Sequence, residues 1–511
     1  MKSPTGVTGR PGSAFTGSGD HAPSGHSGRK RRRRRRGAHP PSPSLLSILL
    51  SRKRALIGAA LIVAAMLLGG GGTTNPRMEI ILQVTVAVIF LLACILPGHG
   101  AGRSNVPAIA LLMAIPVALL PLLQLIPLPP EIWRSLPGRE VERAALDLVG
   151  SGAHWMPLSI VPVATFASLL AVICPVAIMI YVARLDWRDR TAIVFVIVAM
   201  ALASIALGVL QVAHVGGATW VLYKLSTYGW LVGFQANRNA QADVLLIAML
   251  ASATLSLVRF RHGDAGRLGL SITFSCLLVL SVGTIMTGSR TGIALLPVTM
   301  AFVLTILWPR LNRKVTHLRY WAVGSSVAIV AVIYGLTRIS AIQNVIARFG
   351  TGSEGRWDFW LDTIYAVRRS WPFGTGIGTF SYAFEAAERL EMVNSLFPTR
   401  AHNDWLEWTL ETGVAGWVAV IVTLAAIVWS ARLAWRQIDK EHPNSLHRGQ
   451  ILFGVGVLVI VSLHALVDYP TRSMSLAALI AVGAACLTPL ARKGDLAALP
   501  DQDSIEKSEL S

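Results

Sequence analysis

Charge is scarce in this chain: Asp, Glu, Lys and Arg make up 14% of its 511 residues, while hydrophobic residues make up 53%. A soluble domain of this length needs far more charged surface, so the composition excludes one and indicates a bundle of membrane-spanning helices. Cysteine is also rare. Cys94, Cys174, Cys276 and Cys486 all fall inside apolar runs without CxxC or CxxxH spacing. That excludes a disulfide framework and a zinc site and leaves the thiols as packing residues. Acidic residues number 27 against 46 basic ones, a balance that would suggest nucleic acid if the excess were spread over a surface. It is not spread. The run "RKRRRRRR", Arg29 to Arg36, sits in a Gly/Ser/Pro-rich leader, Met1 to Ser44, whose composition is that of a disordered segment. A basic run ahead of a first span holds that end in the cytoplasm and touches anionic lipid, which is preferred here to nucleic-acid binding. The first apolar run lacks a small-residue cleavage site and is read as an uncleaved span.

A span needs about 17 to 25 mostly apolar residues. Candidates fall at 55–71, 79–97, 106–126, 162–183, 191–211, 241–258, 268–287, 292–308, 321–337, 414–430, 451–467 and 474–490. The expected architecture is therefore an all-α polytopic membrane protein of about twelve transmembrane helices. Residues 1–54 form a basic cytoplasmic tail, 55–337 nine spans, 338–413 a large outer loop, 414–490 three spans and 491–511 a cytoplasmic tail. With the N-terminus inside, the loops "ARLDWRDR", "RFRHGDAGR", "PRLNRKVTHLR" and "ARLAWRQIDKEHPNSLHR" all fall on the cytoplasmic side, as the positive-inside rule requires. The same alternation sends Pro127 to Val161, Val212 to Ala240, "TGSRTG", Arg338 to Gly413 and "DYPTR" outside. Ionisable residues are scarce within the spans, unlike the midplane charges of a transporter, so a site at the outer surface is expected.

In the long outer insertion, Trp357, Trp360, Leu361 and Ile364 recur at helical spacing, while Arg356, Asp358 and Asp362 lie elsewhere on the same helix. Such a helix can lie along a bilayer or over a cleft. "PFGTGIG", Pro372 to Gly378, then breaks it, and its glycines serve a turn or the close approach of a ligand. In "AHNDWLEWTLETG", Asn403 or Asp404 can cap a new helix, with Glu407 near a capping-box position. His402 precedes that helix N-terminus, where partial positive charge disfavours imidazolium. The plainer reading of His402 is a solvated loop residue; that of Glu407 and Glu411 is polar helix surface. Arg290 in "TGSRTG" is either an interfacial anchor or, with Arg356 and with Arg238 of "FQANRNAQ", one of several guanidiniums suited to pyrophosphate oxygens. His464 and Asp468 stand four apart in "HALVDYP", a spacing that can hold both on one helix face as a helix-end pair or an acceptor-binding one.

Taken in order, "NRNAQADVLL", "TGSRTGIALL", "GRWDFWLDTI" with "PFGTGIGTF", and "AHNDWLEWTLETGVAGW" resemble the O-antigen ligase and O-antigen polymerase superfamily of bacterial membrane glycosyltransferases, over roughly Phe234 to Trp417. "HWMPLSIVPVAT" and "HALVDYPTRSM" are similar to segments in the same group. The resemblance implies a C-type glycosyltransferase-like membrane fold with a helical periplasmic loop over a cleft in the bacterial cytoplasmic membrane. It implies transfer of a glycan from a polyprenyl-pyrophosphate carrier to lipid A-core or a growing polysaccharide, with no cofactor, no nucleotide sugar and no obligatory metal. Arg290 and Arg356, the latter in preference to Arg348, match the family's functional arginines, and His402 matches its proposed base. Arg238, His464 and Asp468 are the further substrate-binding candidates. The competing reading from another class is a lipid-linked glycan flippase or other non-catalytic transporter.

Overall fold

The computed structural model describes residues 53–72, 76–95, 108–213, 220–223, 229–258, 263–311, 356–393, 398–441 and 445–490. The chain divides into units 1–48 and 49–511, and all described residues belong to the second. The basic leader, the expected span 321–337, Arg348 and the expected C-terminal tail lie outside the described residues.

The helices are α1 (Lys53–Leu68), α2 (Pro76–Ile95), α3 (Ala108–Gln124), α4 (Pro130–Trp133), α5 (Glu140–Leu148), α6 (Pro162–Ala183), α7 (Trp187–Ala213) and α8 (Arg238–Leu255). They continue as α9 (Gly263–Met286), α10 (Arg290–Leu311), α11 (Arg356–Ser370), α12 (Phe380–Glu385), α13 (Asp404–Glu441), α14 (Ser445–His464) and α15 (Met474–Cys486). Two short strands, β1 (Pro127–Leu128) and β2 (Met156–Pro157), pair antiparallel at the base of the α4–α5 excursion.

The packing is organised around α8. Every residue from Ala240 to Thr254 is buried, so this helix is enclosed by its neighbours on every side. α7, α9, α10 and α14 pack against it. Cys174 and Cys486 are buried in the same core, as their apolar settings suggest. The outer helices show the reverse pattern: α3, α6, α9 and α13 each present rows of exposed Leu, Ile, Val and Phe, as helices that face lipid do.

Six described helices contain segments long and apolar enough to cross a membrane: 162–183, 187–213, 268–286, 290–308, 404–438 and 446–464. The protein is thus an all-α polytopic membrane protein, but the described helices support six spans and not the expected twelve. α1, α3 and α15 have 16, 17 and 13 residues, near or below the length that crosses a hydrocarbon core. α8 opens with the polar "RNAQAD", which lowers its hydropathy where it meets the site.

Hydrogen bonds sort the connections onto two ends of the bundle. At one end the Tyr181 hydroxyl donates to Arg54 O (2.8 Å), Gln450 Nε2 to Trp187 O (2.8 Å), and the buried Arg190 to Ala183 O (2.8 Å), Leu185 O (3.1 Å) and Thr488 O (3.1 Å). At the other, Ser475 N donates to Gly69 O (3.1 Å), Ala236 N to Gly70 O (2.9 Å) and Asp404 N to Ala465 O (2.9 Å). The described segments expected on the outer side all meet at this second end.

That end is built on a break in α13. Gly413 adopts φ 56°, ψ −144° inside an otherwise continuous helix, so its neighbours lose their helical partners. The amide of Val414, which would have bonded Leu410 O, donates to Pro372 O (2.9 Å), and Thr375 N fills Leu410 O instead (3.0 Å). Glu411 O accepts from Gly376 N (2.9 Å) and from Gln124 Nε2 (2.9 Å). The glycine-rich loop is therefore stitched to the break, with Gly374 and Gly376 at φ 80° and 105°. Its glycines make a turn against protein backbone. At Gly413 a Cβ would run into the Pro372 carbonyl oxygen as well as straining a positive φ. Gly413→Ala is expected to destabilise the protein by about 1–3 kcal/mol, read as a drop in the thermal midpoint of the detergent-solubilised protein. An unchanged midpoint would mean that the break does not hold this end together.

Candidate active site

α13 begins at Asn403, whose Oδ1 accepts from Leu406 N (3.0 Å). Asn403, rather than Asp404, is therefore the cap. Glu407 reaches past the cap and accepts from Ala401 N (3.0 Å). Between these two anchors sits His402 at φ 51°, a conformation rare for a residue with a side chain and a sign that its surroundings fix it. Its ring packs edge-on to Tyr469 at 5.0 Å, and its Nδ1 lies 3.1 Å from Asp468 Oδ1.

Asp468 is held in turn. Its Oδ2 accepts from Asn239 Nδ2 (2.7 Å), and Asn237, the cap of α8, donates to the Tyr469 hydroxyl (3.2 Å). Burial opposes ionisation of Asp468, but the hydrogen bond from His402, the nearby His464 and the Asn239 amide outweigh it and hold the carboxyl below its ordinary value. Burial, with the Asp468 charge beside it, pushes the Tyr469 phenol up to about 12. An ionised Asp468 accepts from Nδ1–H, which leaves Nε2 of His402 with its lone pair, on a side chain about one-third exposed.

Beneath the loop lies a buried ionic network. Arg472 contacts Glu411 Oε2 (2.7 Å), Glu407 Oε1 (3.4 Å) and Asp404 Oδ1 (3.5 Å), while Arg400 Nη1 donates to Glu407 Oε1 (2.7 Å). Glu411 Oε1 also accepts from Gly378 N (2.9 Å), and Asp404 Oδ2 from the Thr471 amide (2.9 Å) and hydroxyl (2.7 Å). Burial works against the Arg472 charge, yet the three carboxylates more than offset it and raise its pKa above the ordinary arginine value. The polar helix surface expected for Glu407 and Glu411 is corrected here: both are fully buried, because their partners arrive from another part of the chain.

The helix-face pairing expected of His464 and Asp468 is also corrected. α14 ends at His464, and the chain turns before Asp468. His464 lies inside the bundle with Nδ1 2.6 Å from Oδ1 of the equally buried Asp243, while Asp468 faces His402. Arg290 is the first residue of α10, half-buried, behind a turn in which Ser289 Oγ accepts from Gly292 N (3.1 Å). That turn presses Gly288 against Trp230, and the Arg238 guanidinium sits 5.5 Å over the same indole. Trp230 thus links the "TGSR" turn to Arg238. Arg356 starts α11, but its side chain lies outside the described residues.

Asn239, Tyr469, Arg400, Arg472 and Asp243 were not among the expected site residues. The signal for Arg472 was present: acids at 404, 407 and 411 share one helix face, and such a face needs cations to be buried. Arg472→Met would leave buried carboxylates uncompensated, a change that typically costs about 3–5 kcal/mol. Its expected result is loss of folded protein by size-exclusion chromatography, whereas the exposed Arg368→Met should elute as wild type; equal behaviour would make the network dispensable.

Residues 275–421 match the family model described as O-antigen ligase, which supports the family indicated by the motifs. The matched range contains the "TGSR" turn, α11, the glycine-rich loop and His402, and no curated protein matches the chain.

Proposed function

We propose that this protein transfers a glycan from a polyprenyl-pyrophosphate carrier to an acceptor hydroxyl at the periplasmic face of a bacterial cytoplasmic membrane, as an O-antigen ligase or a surface-polysaccharide polymerase. The O-antigen ligase match supports glycosyl transfer by a membrane enzyme. The observation that carries the mechanism is the His402–Asp468 pair: an imidazole fixed by a carboxylate at Nδ1, with Nε2 left to accept a proton. This is the arrangement of an oriented general base.

In the proposed reaction His402 Nε2 takes the proton of the acceptor hydroxyl as its oxygen attacks the anomeric carbon. The bond from that carbon to the pyrophosphate oxygen breaks, and the configuration inverts. Pyrophosphate is already a good leaving group, so the remaining task is to stabilise charge. Arg290 and Arg356, with Arg238 beside the same turn as Arg290, are assigned to it; donors of this kind are worth about a hundred- to a thousandfold each. We also place twelve spans across the membrane, with both termini inside and Arg338 to Gly413 outside, on the bias of Lys and Arg between loops.

Single-turnover transfer from a glycan-loaded carrier tests this reading. His402→Gln keeps a hydrogen-bonding group but cannot accept the proton, and should lower the rate about a hundred- to ten-thousandfold while carrier binding persists. Near wild-type transfer would remove His402 from the role of base. Asp468→Asn should also slow transfer, because an amide can turn either its oxygen or its NH2 toward Nδ1 and no longer fixes the tautomer of the ring. An unchanged single-turnover rate would separate Asp468 from the base.

Arg290→Lys and Arg356→Lys keep the charge but lose the planar fork. Both should reduce transfer at normal expression. Wild-type turnover in the two variants would dissolve the proposed pyrophosphate clamp.

A further inference from the structure

α11 has two faces with opposite surroundings. At 3.6 residues per turn, Phe359, Asp362, Thr363, Ala366 and Ser370 share one side. Phe359 and Ala366 pack on Phe380, Phe384, Ala401 and Leu410, which fixes the helix over the loop that carries His402. The opposite side carries Trp357, Leu361, Ile364 and Tyr365, between 37% and 63% exposed.

Two observations identify what this stripe meets. The first is continuity with a lipid-facing surface. α11 runs into Trp371 and Phe373, both exposed, and the carbonyl of Pro372 between them accepts from Val414 N at 2.9 Å. Val414 begins the exposed row Val414, Val418, Ile421 and Val422 on the part of α13 that is long and apolar enough to span a membrane. The exposed Trp371 and Phe373, which follow the end of α11, are therefore tied by backbone to the start of the exposed apolar row of the span. The second is Arg368, which is exposed within the angular range of the same stripe, one turn beyond Ile364, and makes no ion pair among the described residues. Its neighbour Arg369 does pair, with Glu140 at 2.9 Å. A guanidinium in the middle of an apolar stripe would be an unpaired charge against another protein surface. At a bilayer surface its stem lies along apolar groups while its head reaches lipid phosphate.

We propose that α11 lies in the membrane–water interface with Trp357, Leu361, Ile364 and Tyr365 seated in phospholipid and Arg368 at the phosphate level. Tryptophan and tyrosine favour this depth because one end of each ring system is apolar and the other polar. Seated in this way, the helix fixes the height of the His402 loop above the hydrocarbon, since both pack on the first turns of α13. The inference concerns where the helix sits and does not rest on the glycosyl-transfer reading.

The test uses the full chain with its native cysteines replaced and a spin label on a single cysteine introduced as Leu361→Cys or Tyr365→Cys, in nanodiscs of phosphatidylcholine and phosphatidylglycerol. Collision with molecular oxygen should exceed collision with a water-soluble nickel chelate severalfold at both positions, and the order should reverse at the exposed Glu385. Dominant nickel collision at 361 and 365 would overturn the proposal. Exclusion of both reagents would also overturn it, because the face would then be covered by protein, such as a second copy of the chain. Should the labelled variants fail to insert, a diazirine phospholipid photolysed with the unmodified chain gives an independent reading. Adducts on peptides covering 357–365 support the seating, and adducts confined to the spans overturn it.

Discussion

Asp404, Glu407 and Glu411 occupy successive turns of one face of α13, where three carboxylates left alone would repel one another and lose their hydration on burial. Arg472 and Arg400 make that face possible, and the remaining carboxylate oxygens take backbone and hydroxyl donors from elsewhere: Ala401 N to Glu407, Gly378 N to Glu411, Thr471 N and Oγ1 to Asp404. Each of those donors belongs to a different loop. The histidine loop, the glycine-rich loop and the "DYPTR" turn are therefore registered against one another through a single set of charges. Their mutual positions depend on it more than on any apolar contact, since the apolar cluster at this end is small and the main core lies around α8.

The break at Gly413 supplies the second half of this arrangement. A continuous α13 would satisfy its own carbonyls and offer the glycine-rich loop nothing to bind. Breaking the helix at Gly413 opens Leu410 O and Glu411 O to Thr375 N, Gly376 N and Gln124 Nε2. The polar first two turns of α13 become part of the site while the rest remains a lipid-facing span. One element thus belongs to two environments, with a glycine at the border.

Much of the fold was legible because lipid imposes a one-dimensional signal: runs of apolar residues show where helices cross, and Asn403 and the glycine-rich turn announce their local geometry within a few residues. Six of the expected spans fall on described helices long and apolar enough to cross a membrane, while among the others α8 begins polar and α1, α3 and α15 are short. The site was legible in part. His402 and Asp468 were both singled out, but 66 residues separate them and no spacing rule joins them. Spacing sees neighbours on one helix, which is why it paired Asp468 with His464 and left Glu407 and Glu411 on the surface. What decides burial of an ionisable group is its partner, and Arg472 and Asp243 come from other helices or loops.

The position of Asn239 shows how the three distant motifs converge on one ring. Asn237 caps α8 through the amide of Asn239, so the Asn239 side chain leaves the first turn of a fully buried helix in a fixed direction. It meets Asp468 Oδ2, which commits the other oxygen to His402. A carboxylate with one oxygen already bonded has little freedom to rotate, so the imidazole hydrogen bond fixes both the tautomer and the plane of the ring. The left-handed backbone at His402 completes the constraint, because Ala401 and Asn403 on either side are each tied to α13. The orientation of Nε2 is thus set by the buried helix α8 rather than by the loop that carries it, and a ring so mounted keeps its direction even where a third of its side chain meets solvent.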